Sequence, residues 1–268
     1  MIKISKNIAQ VPQSLVPAFI DLFPGRRTIP RASKTTHDRR MSLISGNQYI
    51  DKVEYNSRYK LDEIRIALNI SYHGKCAYCE NRVEQLHIDH YRPKKIYYWL
   101  AFSWDNLILA CPNCNQNKGT SFSIRNAQAS FTDDEVNVRK INILGSEYDT
   151  VEDPDMVNPE TTDPTPFLHY EKSGKIFSHN RKFIYTIETC KIDRNPLNDE
   201  RRALLDIFSR DIRSALLENK KTEDQQTVIK HIVQKFIRDS NDINQSFLGF
   251  RRFAIREGWM ADIIKSLN

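Results

Sequence analysis

The sequence predicts an α+β protein that is mainly helical and carries a small β-β-α unit near its middle. Three observations indicate this class. Apolar residues recur at helical spacing over residues 56–72, further helical patterns fill residues 198–268, and two short strand-like runs precede a helix start near residue 114. At 268 residues the chain exceeds the usual domain size of about 100 to 150 residues. One core unit with helical surroundings, or two domains, would therefore fit.

Charge and pattern divide the chain into four regions: a basic N-terminal region (1–55), a central core (56–125), an acidic linker with a hairpin (126–197) and a helical C-terminal region (198–268). Residues 1–70 contain 12 Lys and Arg against 6 Asp and Glu, whereas residues 126–197 contain 8 against 13. The net charge is +6. A basic half of this kind favours a polyanionic partner such as nucleic acid.

The most basic segment of the N-terminal region is residues 25–40, which hold six Lys and Arg and little apolar content. This composition predicts an exposed stretch, and two interpretations stay open: a solvated loop, or an arm that contacts phosphates. The residues after it, 56–72, predict a helix that ends near Gly74. Its expected apolar face consists of Leu61, Ile64, Ile66, Leu68 and Ile70.

The β-β-α unit follows this helix. A strand-like segment ends at His87-Ile88-Asp89-His90, an aromatic run covers residues 97–104, a second strand is expected at residues 107–110, and a helix begins near Cys114. Trp99 and Trp104 in the aromatic run either pack in the core or stack on bases.

The acidic region predicts a linker or lid at residues 151–166, which contain four prolines, and a β-hairpin at residues 167–178. Three helices are expected beyond it, at about 198–220, 223–239 and 246–266. We expect Phe247, Phe250 and Trp259 to be exposed and to form a docking surface. The alternative is a helical bundle that covers the core.

Two cysteine pairs, Cys76 with Cys79 and Cys111 with Cys114, bracket the segment His87-Ile88-Asp89-His90-Tyr91-Arg92-Pro93. Four soft thiolates at this spacing suit a structural Zn²⁺, and four free thiols are the alternative. The fifth cysteine, Cys190, is expected to be buried and to pack like a small apolar side chain. Cysteines used in this way favour a reducing compartment, and no apolar leader or membrane-length apolar run is present. We therefore expect a cytoplasmic protein that does not contact membranes.

The residues between the two cysteine pairs, together with those just after the second pair, can support phosphodiester hydrolysis. This reaction needs a nucleophilic water and a cation beside the phosphate. Asp89 offers a carboxylate and Asn115 an amide oxygen, both suited to Mg²⁺ or Mn²⁺, and neutral His90 can act as the general base. Neighbouring residues of a regular strand face opposite sides, so Asp89 and His90 can serve one site only at a strand end or bulge. His87 shares a face with Asp89 and is either a further ligand or a structural residue.

Four cations flank this segment and are candidate phosphate contacts, with a solvated basic rim as the alternative. They are Arg92, Lys94, Lys95 and Lys118.

The chain resembles the HNH, or ββα-metal, nucleases. The resemblance is carried by Asp89-His90-Tyr91-Arg92-Pro93, by Asn106-Leu107, and by Cys111-x2-Cys114-Asn115-x2-Lys118. It implies that Asp89 and Asn115 bind the catalytic Mg²⁺ or Mn²⁺, that His90 activates water, and that Asn106 braces the loop. Residues 56–125 would then form an HNH nuclease core stapled by a zinc site of four cysteines.

A narrower resemblance covers about residues 50–205 and points to the HNH subunit of Septu and retron-associated antiphage systems, the PtuB type. Segments that carry it include Cys76-Ala77-Tyr78-Cys79-Glu80, Trp99-Leu100-Ala101 and Asn158-Pro159. It implies antiviral defence, a partner that is an ABC-type ATPase of the PtuA kind, and a retron RNA/DNA complex as a further partner.

We therefore expect a metal-dependent endonuclease with DNA favoured as its substrate. The alternatives are an effector that cleaves RNA such as tRNA, a restriction-type endonuclease that acts without a partner, and a non-catalytic zinc module that binds nucleic acid. Asp89, His90 and Asn115 together favour an enzyme, because a binding module needs no base beside a hard-metal site.

Overall fold

The computed structural model describes residues 1–17, 35–218 and 221–267. Within these ranges helices provide most of the regular structure, and four short strands form two antiparallel hairpins. The α+β, mainly helical class predicted from the sequence is therefore confirmed. Over the same ranges, no helix combines the length and the apolar character that a bilayer crossing requires.

The described helices and strands follow one another in this order: α1 (Thr36–Ser45), α2 (Val53–Asn56), α3 (Asp62–Tyr72), β1 (His87–His90), β2 (Leu107–Ala110), α4 (Pro112–Lys118), α5 (Glu135–Arg139), α6 (Leu144–Glu152), β3 (His169–Tyr170), β4 (Ile176–Phe177), α7 (Arg181–Thr189), α8 (Asn195–Glu218), α9 (Thr222–Asn241), α10 (Leu248–Arg256) and α11 (Trp259–Leu267). Short 3-10 turns lie at Gln13–Leu15, Arg58–Lys60, Tyr98–Leu100 and Trp104–Asn106.

Helix α1 shows that the last residues of the basic segment 25–40 are not an exposed arm. Residues 25–34 lie outside the described residues, but the end of that segment is helical and begins with a capping box between Thr35 and Asp38. Arg40 is fully buried and donates to the carbonyl oxygens of Leu15 (2.7 Å) and Phe102 (2.9 Å). Arg40 therefore ties α1 to the core and does not face a substrate.

Helix α3 has a narrower apolar face than the sequence predicts. Ile64 and Leu68 are fully buried, whereas Ile66 and Ile70 are 59% and 67% exposed. Two residues along a helix turn the side chain by about 200°, which places Ile66 and Ile70 on the solvent side. The predicted end of the helix is confirmed, since α3 ends at Tyr72 and Gly74, two residues before Cys76, adopts a φ of +66°.

The predicted β-β-α order is confirmed. Strands β1 and β2 pair antiparallel, with His87 opposite Ala110 and His90 opposite Leu107. Every residue of β2 is buried, α3 contacts β2, and α4 contacts β1. Pro112 is the first residue of α4, where its missing N–H costs no helical hydrogen bond. The hairpin and α4 thus form one packed unit.

The acidic segment 151–166 is not the linker or lid that its prolines suggest. Met156 and Val157 are buried, the hydroxyl of Tyr91 donates to the carbonyl of Met156 (2.7 Å), and the amide of Val157 donates to Thr186 Oγ1 (2.8 Å). This segment therefore packs against the unit that carries β1. The predicted hairpin after it is confirmed as β3 paired with β4.

The C-terminal helices cover the core. The third predicted helix is divided into α10 and α11 at Gly258, whose φ is +70°. The expectation that Phe247, Phe250 and Trp259 are exposed is wrong, because they are only 4%, 0% and 8% exposed. Phe250 packs edge-on against Tyr170 and Trp259. These rings join the same apolar core as β2, as the covering-bundle alternative predicts.

Polar contacts fasten this bundle to the first cysteine pair. The ammonium of Lys75 donates to the carbonyls of Ile243 (2.5 Å) and Gln245 (3.0 Å), and Arg82 donates to the carbonyl of Asn244 (2.7 Å). These contacts hold the loop between α9 and α10 beside the cysteines.

Candidate functional site

The two cysteine pairs converge on one buried point. The four Sγ atoms of Cys76, Cys79, Cys111 and Cys114 lie within 4.8 Å of one another. Those of Cys79 and Cys111 are 3.8 Å apart, which equals the sulfur–sulfur edge of a tetrahedron with metal–sulfur bonds of about 2.3 Å. The separation is far longer than the roughly 2.05 Å of a disulfide bond. The cluster therefore fits a Zn²⁺ site, as its spacing predicts.

The fold brings Arg194 to this cluster. Its guanidinium donates to Sγ of Cys114 (3.5 Å) and of Cys111 (3.8 Å), and also to the carbonyl of Lys191 (3.0 Å). Four thiolates around one divalent cation leave two negative charges, and a guanidinium offsets one of them. Sequence reasoning missed Arg194, because it lies 80 residues from Cys114 and belongs to no local motif.

His90 is the last residue of β1, so the prediction that the motif lies at a strand end is confirmed. Its Nε2 is 2.9 Å from the carbonyl oxygen of Ala101. A carbonyl only accepts hydrogen bonds, so Nε2 carries the proton and Nδ1 keeps its lone pair. None of the described residues forms a hydrogen bond with Nδ1. Burial and then the charge of Lys94 lower the pKa of His90 to about 3, which keeps the imidazole neutral.

Asp89 is buried beside His90 and makes three polar contacts. Its Oδ2 accepts from the hydroxyl of Tyr78 (3.0 Å) and lies 3.2 Å from Nζ of Lys118, while its Oδ1 accepts from the backbone N–H of His90 (2.8 Å). Burial raises the pKa of Asp89, and Lys118 and Tyr78 partly oppose that shift. The carboxylate is therefore held by a cation in a site of low polarity.

Helix α4 supplies the opposite side of this site. Nδ2 of Asn115 lies 3.3 Å from Nδ1 of His87, and Lys118, three residues further along α4, contacts Asp89. His87 and Asp89 share one face of β1. A carboxylate, an amide and an imidazole thus line the contact of α4 with β1. The carboxylate and the amide oxygen are ligand types that a hard divalent cation takes, whereas imidazole suits softer ions such as Zn²⁺. The carboxylate itself is paired with Lys118 and not with Asn115.

Asn106 links the two ends of the loop that follows β1. Its Oδ1 accepts from the backbone N–H of Arg92 (2.7 Å), and its Nδ2 donates to the carbonyls of Arg92 (3.0 Å) and Leu100 (3.2 Å). Leu100 directly precedes Ala101, the residue that holds the His90 ring. Asn106 occupies the bracing position that the resemblance implies.

Two of the four candidate phosphate contacts lie in the interior. The guanidinium of Arg92 is buried and paired with Glu152 (3.0 Å) and Asp149 (2.6 Å). Lys118 is fully buried and donates to the carbonyl of His90 (2.7 Å) as well as contacting Asp89. Both side chains are used by the protein itself, so neither lies on a surface that phosphates reach, and this prediction is corrected for them.

The other two cations, Lys94 and Lys95, lie closer to solvent. Lys95 is exposed, whereas Lys94 is half-buried and donates to Asn56 Oδ1 (2.7 Å), the Tyr59 hydroxyl (2.7 Å) and the Tyr49 hydroxyl (3.2 Å). Burial lowers the pKa of Lys94 to about 8. Sequence reasoning did not identify the tyrosines as neighbours of the site. Trp99 and Trp104 are buried, so the core-packing interpretation holds for both.

Comparison with known proteins agrees with this geometry. Residues 76–121 match the family model described as HNH endonuclease. The matched segment contains the four clustered cysteines and every candidate catalytic residue. These are Asp89, His90, Asn106 and Asn115.

The curated proteins that this chain is similar to include Septu proteins PtuB and PtuA. The chain is 30% identical over 162 residues to Septu protein PtuB of Bacillus mycoides (strain KBAB4), covering 53% of this chain and 51% of that protein. It is 36% identical over 69 residues to Septu protein PtuB of Bacillus thuringiensis, covering 24% and 27%. It is also 24% identical over 201 residues to Septu protein PtuA of Bacillus mycoides (strain KBAB4), covering 69% of this chain and 25% of that protein. The chain spans about half the length of the first of these relatives and about a quarter of the others.

Proposed function

We propose that this chain, which carries an HNH endonuclease domain and is similar to the PtuB proteins of Septu, hydrolyses phosphodiester bonds of nucleic acid, with DNA as the favoured substrate. The observation that carries the proposal is the state of His90. Its Nε2 is hydrogen-bonded to the carbonyl of Ala101, its Nδ1 lone pair is not used by the described residues, and a buried carboxylate adjoins it. That arrangement suits a general base that takes a proton from water.

Asp89 and Asn115 are the proposed ligands of a Mg²⁺ or Mn²⁺ ion, with His87 beside Asn115. When bound, such an ion supplies positive charge that stabilises phosphate oxygens as negative charge develops on them. The protein's own part is positional: Asn106 closes the loop, the carbonyl of Ala101 orients His90, and Nδ1 of His90 accepts the proton.

The four clustered cysteines are proposed to hold a structural Zn²⁺. Cys111 precedes α4 and its Sγ accepts from the backbone N–H of Cys114 (3.4 Å). A metal ion at this point would fix the start of α4, and with it Asn115, relative to β2. Zinc would then support catalysis through the fold and not through contact with the substrate.

Substrate recognition is proposed to rest on charge. Lys94, Lys118 and Lys60 all lie near enough to His90 to lower its pKa, so the base is surrounded by cations. Lys60 and Lys95 are exposed and can contact phosphates, while Lys94 contributes its charge from a half-buried position. Contacts of this kind bind any phosphodiester backbone, and their affinity falls as salt rises.

The proposed setting is antiphage defence together with a PtuA-like ATPase. Support comes from the PtuB matches and from the PtuA match, in which most of this chain aligns with a quarter of a much longer protein. A segment similar to this chain is therefore joined to further polypeptide in that relative. A retron RNA/DNA complex is a further proposed partner. Free cysteines agree with action in a reducing cytoplasm.

The test is incubation of the purified chain with plasmid DNA and, separately, with total RNA, in Mg²⁺ or Mn²⁺ and without either ion. It is done with and without a PtuA-like ATPase. Cleavage of DNA that requires the added ion is the expected result, and Asp89→Ala should abolish it while Asp163→Ala, an exposed control, should not. Cleavage of RNA alone would favour the RNA-cleaving alternative. Retention of nucleic acid without cleavage under every condition would favour the binding module.

A further inference from the structure

Tyr59 packs directly against the candidate base although it lies outside the segment that matches the HNH family. The 3-10 turn Arg58–Lys60 carries it. Its ring centroid is 4.5 Å from that of His90, and the two ring planes meet at 79°, an edge-on contact. Tyr59 is buried. The ring of His90 therefore has an aromatic neighbour in addition to its hydrogen bond to Ala101.

The hydroxyl of Tyr59 is anchored by a closed polar network. It accepts from Nζ of Lys94 (2.7 Å) and donates to Oδ1 of Asn56 (3.2 Å). Asn56 in turn donates to Asp51 (2.7 Å), and Nζ of Lys94 also lies 4.3 Å from the ring centroid of Tyr49. The three protons of the Lys94 ammonium each have an oxygen acceptor in this network. Lys94 thus holds Tyr59 from a position four residues after His90.

A single hydrogen bond does not fix an imidazole ring. The second side-chain torsion of histidine is broad and roughly two-fold, so a ring held at one nitrogen can still rock or turn over. A turned ring would bring carbon where Nδ1 now lies, and its lone pair would be lost to the reaction. The edge-on contact with Tyr59 blocks this motion, because an anchored ring occupies the space into which the imidazole would turn.

We propose that Tyr59 is a positioning residue for His90, that its ring keeps Nδ1 in the reactive orientation, and that Lys94 anchors it. The proposal rests on the nuclease function proposed above. It assigns to residues 49–59 and Lys94 a joint role that the HNH motif itself does not contain. A merely structural Tyr59 would instead affect activity only through the fraction of folded protein.

The test compares Tyr59→Leu, which removes the ring, with Tyr59→Phe, which keeps the ring and loses the hydroxyl. Tyr170→Leu is the matched control, since Tyr170 is a buried tyrosine that packs on Phe250 and Phe253. For each variant, kcat and KM for DNA are measured. The ring nitrogens of His90 are observed by NMR of ¹⁵N-histidine-labelled protein, with His90→Ala providing the assignment.

We expect Tyr59→Leu to lower kcat by about 10²-fold with KM nearly unchanged, because a small misplacement of a reacting group has that effect. Its His90 signals should move from the pure Nε2–H tautomer towards the average of both tautomers. Tyr59→Phe keeps the ring but loses the anchoring hydroxyl, so it should lower kcat less than Tyr59→Leu does and move the His90 signals in the same direction by a smaller amount. Tyr170→Leu should change neither. Wild-type kcat and wild-type His90 signals in Tyr59→Leu would overturn the proposal.

The NMR result is independent of activity and separates this proposal from the proposed function. If the wild-type chain cleaves nothing and Tyr59→Leu still changes the His90 signals, the positioning role stands and the function fails. The anchor is tested by a double-mutant cycle of Tyr59→Phe and Lys94→Met in urea unfolding. Both remove the same hydrogen bond, so their combined loss of stability should be smaller than the sum of the single losses. Strict additivity would overturn the role of Lys94 as the anchor.

Discussion

Arg92 illustrates at the residue scale how burial decides the role of a charged side chain. Glu152, its main partner, is fully buried and also accepts from the hydroxyl of Tyr97 (2.9 Å) and the backbone N–H of Ala129 (2.8 Å). A cation is needed there because an unpaired buried carboxylate is costly. Arg92 therefore connects the loop after β1 to α6, and its conformation follows from that pairing.

We predict that Arg92→Met destabilises the protein by about 3 to 5 kcal/mol, since it leaves the buried Glu152 without its cation. The free energy of unfolding in urea measures this effect. Arg125→Met is the control, because the pair of Arg125 with Asp155 is exposed on the arginine side and should contribute about 0 to 1 kcal/mol. An Arg92→Met protein that is fully stable but binds nucleic acid poorly would instead support a phosphate contact.

Asp105 gives the protein a pH-dependent stability that does not involve the candidate base. It accepts from Ser103 Oγ (2.6 Å) and from the backbone N–H of Ser146 (2.9 Å) in a buried position. Burial raises the pKa of Asp105 to about 6, and these hydrogen bonds only partly oppose that shift. The folded state therefore holds this proton more tightly than the unfolded state does.

The direction in which stability changes with pH follows from this difference in proton affinity between the folded and unfolded states. Between about pH 4 and pH 6 the folded protein binds more protons at this group than the unfolded chain, so its contribution to stability is lost as pH rises, by about 3 kcal/mol in total. We predict that Asp105→Asn removes this component from the pH dependence of unfolding. The exposed control Asp206→Asn should keep it. An Asp105→Asn curve parallel to that of the wild type over this range would show the assignment to be wrong.

The start of α8 matters at the scale of elements because Arg194 connects it to the cysteine cluster. Arg194 precedes Asn195, the first residue of the helix, and donates to two of the four sulfurs. Hydrogen bonds from outside a metal site orient its ligands and offset their charge. Arg194 therefore joins the start of the C-terminal helices to the candidate metal site by hydrogen bonds.

We predict that Arg194→Met accelerates zinc loss, with metal affinity lower by about 10- to 100-fold. Release of Zn²⁺ to a chromogenic chelator measures this directly, without any assay of nuclease activity. Arg210→Met is the control, since Arg210 is an exposed arginine on α8, and this variant should release zinc at the wild-type rate. Equal release by both variants would mean that Arg194 contributes nothing to the site.

At the scale of the whole molecule, the C-terminal helices complete the core beneath the candidate active site. Phe250 and Leu248 on α10 are fully buried in the same cluster as Tyr78 and Leu107. Tyr78 donates to Asp89, so a residue of this same core cluster is hydrogen-bonded to the candidate metal ligand.

We predict that Phe250→Ala destabilises the protein by about 3 to 5 kcal/mol, because it removes a fully buried ring and leaves a cavity. Thermal and urea unfolding measure the loss. Leu217→Ala is the control, since Leu217 on α8 is mostly exposed and should change stability by less than about 0.5 kcal/mol. A small effect of Phe250→Ala would instead indicate a C-terminal region that folds separately from the nuclease unit.

The local patterns of the sequence were sufficient to predict the β-β-α order, the clustering of the four cysteines, the end of α3 near Gly74 and the position of His90 at a strand end. They do not predict the surroundings of a side chain that packs against a distant segment of the chain. Phe250 looks like a surface residue until Tyr170 of β3 and Trp259 of α11 pack on it, and Arg92 looks like a phosphate contact until α6 brings Glu152. Arg194 and Tyr59 have no local signature, since each acquires its role only through tertiary packing.

The most direct test of the central claim is single-turnover cleavage of plasmid DNA by His90→Ala, in Mg²⁺ or Mn²⁺ and under the partner conditions in which the wild type is active. His231→Ala, an exposed histidine on α9, is the matched control. Zinc content and circular dichroism establish that both variants are folded. Loss of the general base predicts a rate lower by about 10² to 10⁴-fold for His90→Ala and an unchanged rate for the control. Wild-type cleavage by a folded, zinc-loaded His90→Ala protein would contradict the account.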